Sequence, residues 1–131
     1  MAWMVIFQED FDAEFQAFHQ EVQDELLAHA KLLEQLGPIL GRPTVDTLNG
    51  SKYSNMKELR FQQAGHQWRV AFAFDPERQA ILLVGGDKTG ADQKRFYKRL
   101  IAAADDHYSR HLAFLKAAVL RRKEKAHAPK T

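Results

Sequence analysis

The residues of this 131-residue chain best suited to chemistry are basic, and they fall beside three short apolar runs. Lys57 and Arg60 lie in Met56-Lys57-Glu58-Leu59-Arg60-Phe61, Arg69 lies in Trp68–Phe74, and Lys88 follows Ile81–Asp87 directly. Guanidinium groups grip a phosphate through two parallel hydrogen bonds and offset the extra charge of a pentacovalent phosphorane. A lysine crowded by cations has its ammonium form disfavoured, so it accepts a proton more readily near neutral pH. RNA brings its own nucleophile, the 2′-hydroxyl. Such a set therefore suffices for cleavage to a 2′,3′-cyclic phosphate with no metal, cofactor or protein nucleophile, although composition alone does not demand it.

These side chains converge only if the runs pair as strands. The runs are rich in β-branched and aromatic residues and are separated by Gln63–His66 and Asp75–Arg78, which predicts an antiparallel meander. With Ala64-Gly65 at the first tip, Phe61 faces Trp68, Leu59 faces Val70, and Arg60 sits opposite Arg69. Like charges so placed cost a few tenths to about 1 kcal/mol, which a bound polyanion offsets. The plain alternative is that Glu58 and a second carboxylate neutralise the pair. Trp68, Val70, Phe72 and Phe74 form a face expected to be buried, whereas Arg69, Ala71 and Ala73 suit a shallow exposed one. Parity puts Lys57 with Leu59 and Phe61, so it reaches the arginines only from a strand end or past a bulge. The third run is apolar at both parities from Ala80 to Val84, as a strand covered on both sides would be.

Around the meander, Trp3–Phe7 reads as a first strand. Asp10 or a neighbour is placed to cap a helix. Phe11, Phe15, Phe18, Val22, Leu26, Leu33 and Leu36 form a helical stripe ending at Gly37-Pro38, with a break expected near His19. Residues 37–55 read as a long loop. It delivers Lys52 and Tyr53 towards the arginines, and Tyr53 suits a core-packed anchor as well as a base-stacking platform. A last helix is expected from about Asp92 to Lys125, its start made basic by Lys94, Arg95, Lys98 and Arg99 around Tyr97. His107 and His111 share a face, but a His-x-x-x-His pair without a third ligand points to no metal site. The segment 121–131 is basic and expected to fray. One domain, 1–120, followed by that tail is the expected organisation.

Composition limits the alternatives. The chain has no cysteine, so thiolate chemistry, disulfides and thiolate metal sites are absent. Hydrophobic residues at 45% and charged residues at 27% fit a soluble globular domain. Met1–Phe7 lacks a basic start and meets acids at once, so neither a signal peptide nor a membrane span is expected and the cytoplasm is the default. The net charge of +2 conceals an asymmetry: residues 1–36 carry eight acids and one base, and the remainder carries 18 bases and nine acids. One part attracts nucleic acid, while the other repels it. Gly85-Gly86-Asp87-Lys88-Thr89-Gly90 lacks the spacing of a nucleotide-binding phosphate loop.

Taken together, Leu48–Tyr53, Met56-Lys57-Glu58-Leu59-Arg60, Trp68-Arg69, Gly85-Gly86-Asp87-Lys88-Thr89 and Phe96-Tyr97 make the chain resemble the RelE/HigB superfamily, in particular its phage-derived HigB-like branch. The similarity runs from residue 1 to about 115. It implies an α+β fold, with an N-terminal strand and two helices packed on a mainly antiparallel curved sheet and a C-terminal helix. It further implies a type II toxin that cuts mRNA at the ribosome and is held by a helix-turn-helix antitoxin. On this resemblance Arg60, Arg69, Lys88 and Lys57 are the catalytic candidates, and Lys52, Tyr53, Lys94, Arg95, Tyr97 and Lys98 the RNA-binding ones. The base is expected to be Lys57 or Lys88. A gyrase poison of ParE type or a non-catalytic binding module on the same fold is the alternative. The nuclease reading requires that the two arginines neither point into the apolar interior nor be locked each to its own carboxylate.

Overall fold

The meander forms the middle of a five-stranded sheet in the computed structural model, which describes residues 2–126. The strands are β1 (Met4–Phe7), β2 (Val45–Thr47), β3 (Met56–Gln63), β4 (His66–Phe74) and β5 (Gln79–Asp87). The helices are α1 (Glu9–Gln16), α2 (Gln20–Leu36) and α3 (Gln93–Ala126). Strand order is β1-β5-β4-β3-β2, with β1 parallel to β5 and every other pairing antiparallel. This is the expected α+β arrangement, enlarged by the short strand β2.

The β3–β4 register is the one the hairpin tip dictates: Gln63 pairs with His66, Phe61 with Trp68, Arg60 with Arg69 and Leu59 with Val70. Ala64 and Gly65 both have positive φ, as a two-residue hairpin turn whose twist matches its strands requires. A bulge between Ala71 and Phe72 shifts the register against β5. It leaves the alternation of faces along β4 intact.

Both faces of the sheet are covered, which corrects the expectation of one open face. Phe11, Phe15, Val22, Leu26 and Leu33 from α1 and α2 pack on Leu59, Phe61, Val70, Phe72 and Leu82. On the other side, Leu100, Ala104 and Tyr108 of α3 pack on Met56, Ala71, Ala73, Ile81 and Leu83. Small side chains at 71 and 73 therefore mark close helix approach, not solvent exposure. The double parity of β5 has the anticipated meaning: Ala80 and Leu82 face one layer, Ile81 and Leu83 the other.

Several local expectations change. The α1 cap is Gln8, not Asp10: the Gln8 side-chain oxygen accepts from the Asp10 and Phe11 amides at 2.8 and 3.3 Å. The acids Glu9, Asp10 and Asp12 sit in the first turn, where the helix dipole favours them. The break near His19 is present, with His19 at the N-cap of α2. Leu36, placed on the buried stripe, is exposed. Residues 37–55 are not all loop, since they hold a 3-10 turn (Gly37–Ile39) and β2. Gly37 has φ +56°, and a Cβ there would lie 2.3 Å from the Trp3 ring, so only glycine lets that ring close over the end of α2. Residues 121–126 continue α3 as exposed helix, and 127–131 lie outside the described residues. No described helix is long and apolar enough to cross a membrane.

The two histidines of α3 have structural partners. His107 Nδ1 donates to the Leu83 carbonyl at 2.7 Å, and His111 Nε2 donates to Asp75 Oδ2 at 2.8 Å. Asp75 is buried at the β4–β5 turn, where Oδ1 accepts from the Glu77 and Gln79 amides and Oδ2 from Gln79 Nε2. This carboxylate fastens α3 to the sheet. Asp75→Ala strands those donors and is expected to lower stability by about 3 kcal/mol. A urea midpoint unchanged from the parent's would contradict that role.

Candidate functional site

Glu58 and Arg60 are two residues apart on β3 and project on the same face, towards α3. Arg69 of β4 projects there too, because it is the cross-strand partner of Arg60. The outcome is a cluster around one carboxylate. Arg69 Nε lies 3.2 Å and Arg60 Nε 3.7 Å from Glu58 Oε1. The Tyr97 hydroxyl, from the second turn of α3, donates to the same oxygen at 3.0 Å. Lys88, just past β5, is fixed by its own amide donating to the Gln67 carbonyl at 2.8 Å, and its ammonium stands 5.7 Å from the Tyr97 ring centre.

The arginines are thus neither in the apolar interior nor locked each to its own carboxylate: both share Glu58. The neutralising role foreseen for Glu58 is real but partial, since one carboxylate faces two guanidinium groups. A second carboxylate, Asp46, is 3.9 Å from Arg60 Nη1, yet it is held chiefly by Arg42 at 2.9 and 3.1 Å. The Arg69 and Glu58 side chains are only 6% and 8% exposed, whereas that of Arg60 is one-third exposed. Arg69 Nη1 donates to the Trp68 carbonyl at 2.9 Å. Its Nε, although near Glu58, is buried with no acceptor in hydrogen-bonding geometry. That N–H lies against Glu58 and away from solvent, so the contact at 3.2 Å holds Arg69 by charge and not by a directed hydrogen bond.

This environment moves two proton affinities. The Lys88 ammonium is pushed below its ordinary pKa, first by burial and then by Arg69, with Arg60 adding to the effect and Glu58 opposing it. The Tyr97 hydroxyl is pushed above its ordinary value by burial and by the Glu58 carboxylate, so it remains a proton donor at neutral pH.

The structure gathers Arg60, Arg69, Lys88 and Tyr97 from the candidates named above and sets others apart. Lys57 pairs across with Phe72 and shares the α2-side face with Leu59 and Phe61, so it cannot act among the arginines. Tyr53 is an anchor: its hydroxyl bonds Ser109 Oγ at 2.6 Å and its ring meets Tyr108 edge-on. Ser109 is twelve residues from Tyr97, about 18 Å along α3. Lys52 is drawn to the same region, its amide donating to Asp105. Lys94 and Lys98 are exposed on α3 beside Tyr97. Arg95 lines a different cleft with Phe96, Arg99 and Val84. Glu58 was not among the candidates for a site role. Its shared parity with Arg60 is visible in Lys-Glu-Leu-Arg, but the sequence alone gives it only the role of neutralising the arginine pair.

Relatives can now be set beside this geometry. The family described as phage-derived protein Gp49-like matches residues 13–109. The chain is 48% identical over 99 residues to the candidate toxin HigB3 of Mycobacterium tuberculosis (strain ATCC 25618 / H37Rv), an alignment covering 76% of this chain and 84% of that one. It is 45% identical over 95 residues to the candidate toxin HigB2 of the same strain, covering 72% of this chain and 47% of that protein, about half of its length. Among solved structures, a free-state double mutant of the E. coli toxin RelE superposes with a TM-score of 0.57 at 13% identity, over 78% of this chain and 96% of the other. At that identity the likeness is one of fold.

Proposed function

This chain belongs to the phage-derived Gp49-like family, a toxin branch of the RelE/HigB superfamily, and from that premise we propose that it is a metal-independent endoribonuclease. Its substrate is mRNA, met in the cytoplasm and at the ribosome, and its restraint is a cognate helix-turn-helix antitoxin. The supporting observation is the convergence of Arg60, Arg69 and Tyr97 on Glu58, with the Lys88 ammonium beside the Tyr97 ring.

In this reading a phosphodiester enters beside Glu58 and is gripped by the two guanidinium groups. Neutral Lys88 removes the 2′-hydroxyl proton, the 2′-oxygen bonds to phosphorus, and the P–O5′ bond breaks. Tyr97 gives its proton to the departing 5′-oxygen. Products are a 2′,3′-cyclic phosphate and a free 5′-hydroxyl. Glu58 holds the arginines and the tyrosine hydroxyl in place, and the guanidinium pair stabilises the dianionic transition state where it forms.

Incubating the purified protein with ribosomes programmed by mRNA and mapping both new ends tests the reading. Cyclic phosphate at one end and 5′-hydroxyl at the other is the expected outcome, with chelators having no effect. Gyrase-dependent DNA breaks with intact RNA would overturn it. Tyr97→Phe should fold normally and cut about 10²-fold more slowly. Substrate with a 5′-bridging sulfur, whose leaving group needs no proton, should be cut equally by both forms. A deficit persisting on that substrate would remove Tyr97 from the acid role.

A further inference from the structure

Beside the guanidinium pair, at the margin of β3 beyond its pairing with β2, a cleft of about 320 Å³ is lined by His29, Pro43, Thr44, Arg60, Phe61, Gln62 and Arg69. Its size is that of a small-molecule pocket. Two of its walls, Arg60 and Arg69, belong to the cluster described above, so the cleft lies directly beside the place where a phosphate would be held. The remaining walls have the chemistry of base recognition. The His29 ring stacks on Phe61 with centroids 5.3 Å apart and planes at 30°. Its Nδ1 donates to the Glu25 carbonyl at 2.8 Å, and because a carbonyl only accepts, the neutral ring keeps Nε2 as an acceptor. Gln62 is exposed and lies on the same strand face as Glu58 and Arg60, one two-residue step beyond the arginine. Its amide presents a donor beside an acceptor, the pattern that matches a base edge. The Thr44 carbonyl is occupied by the Arg60 amide at 2.7 Å, so Gln62, His29 and the Thr44 hydroxyl are the uncharged groups able to read.

We propose that this cleft is the nucleobase pocket adjoining the scissile phosphate, in which Gln62 reads the base edge and His29, backed by Phe61, forms the stacking wall. The assignment rests on the nuclease reading and deepens it. Bases of single-stranded RNA are recognised in this way, by stacking on aromatic or imidazole rings and by hydrogen bonds to their edges. Arg60 and Arg69 would then fix the backbone without regard to sequence, and the cleft would set which sequence is cut.

Four fluorescent oligoribonucleotides that differ in one base next to a 2′-deoxy, uncleavable linkage separate these roles by anisotropy. The parent is expected to prefer its best base over its worst by about tenfold. Gln62→Ala, at an exposed position, should bring all four affinities within about twofold of one another. His29→Ala should weaken all four and also narrow the ratio. Arg60→Ala should weaken all four and leave the parent's ratio in place. The inference is overturned if the parent does not discriminate, or if folded Gln62→Ala keeps the parent's ranking and ratio. An all-ribose version of the best oligomer reports on the nuclease reading separately. If it stays intact while Gln62→Ala still erases discrimination, the pocket stands and the cleavage chemistry falls.

Discussion

Arg69→Ala is expected to slow RNA cleavage by about 10²–10³-fold and to remove toxicity on expression. Arg69 is the more deeply buried of the two arginines, and its contact with Glu58 and its Nη1 bond to the Trp68 carbonyl fix its guanidinium plane. The same burial gives the substitution a second effect. Glu58 loses the partner at 3.2 Å while remaining almost wholly buried; Arg60 at 3.7 Å and the Tyr97 hydroxyl still hold it, so the cost falls below the about 3–5 kcal/mol of a wholly stranded buried charge. Lost toxicity could then reflect unfolding. Pairing the change with Glu58→Gln separates the two, because removing both charges leaves nothing stranded. The double variant should recover most of the lost melting temperature and none of the cleavage. Arg69→Lys keeps a charge without the planar fork and should be folded but slow. A folded double variant that cuts at the parental rate would show that Arg69 serves only the fold.

Much of this arrangement was legible in the sequence, and the parts that were not share a cause. Hairpin register follows from turn chemistry and alternation, which are local, so Arg60 opposite Arg69 could be read before any coordinates. The same parity put Lys57 on the opposite face from the arginines, although it stayed among the catalytic and base candidates. The double-sided burial of β5 was equally plain from Ala80–Val84. What failed needed knowledge of the third dimension. Ala71 and Ala73 look like an exposed face until α3 is laid across them, and no local pattern states where a helix thirty residues later will pack. Strand β2 is three residues, too short for any periodicity to mark, and it exists because it can pair with Leu59, Glu58 and Lys57. Tyr97 was expected to bind RNA from the last helix, and only the docking of α3 brings its hydroxyl to Glu58. The base-sized cleft combines α2, the segment before β2 and the open margin of β3, and that junction has no sequence signature.

The rate of cleavage by the parent protein is expected to rise about tenfold per pH unit below the Lys88 pKa and to level off above it. The direction follows from the site. Burial and the neighbouring Arg69 and Arg60 outweigh Glu58, so the folded protein holds the Lys88 pKa below the ordinary lysine value. A lowered pKa means more neutral amine at any given pH, and it is the neutral amine that takes the 2′-hydroxyl proton. From pH 6 to pH 7 the reactive fraction therefore grows about tenfold if the folded pKa lies above that interval. Hydroxide acting on RNA unaided would give the same slope, so the parent profile alone is ambiguous. Lys88→Arg decides the matter. It keeps the positive charge near the phosphate but does not lose its proton in this range, so it should retain RNA binding, cut at least about 10²-fold more slowly and show no restored slope. Small primary amines added to Lys88→Ala should return part of the rate, most strongly at high pH where they are uncharged. If Lys88→Arg cuts at the parental rate with the parental profile, the lysine contributes charge alone, and the base must be sought at Glu58, the only carboxylate at the centre of the described cluster.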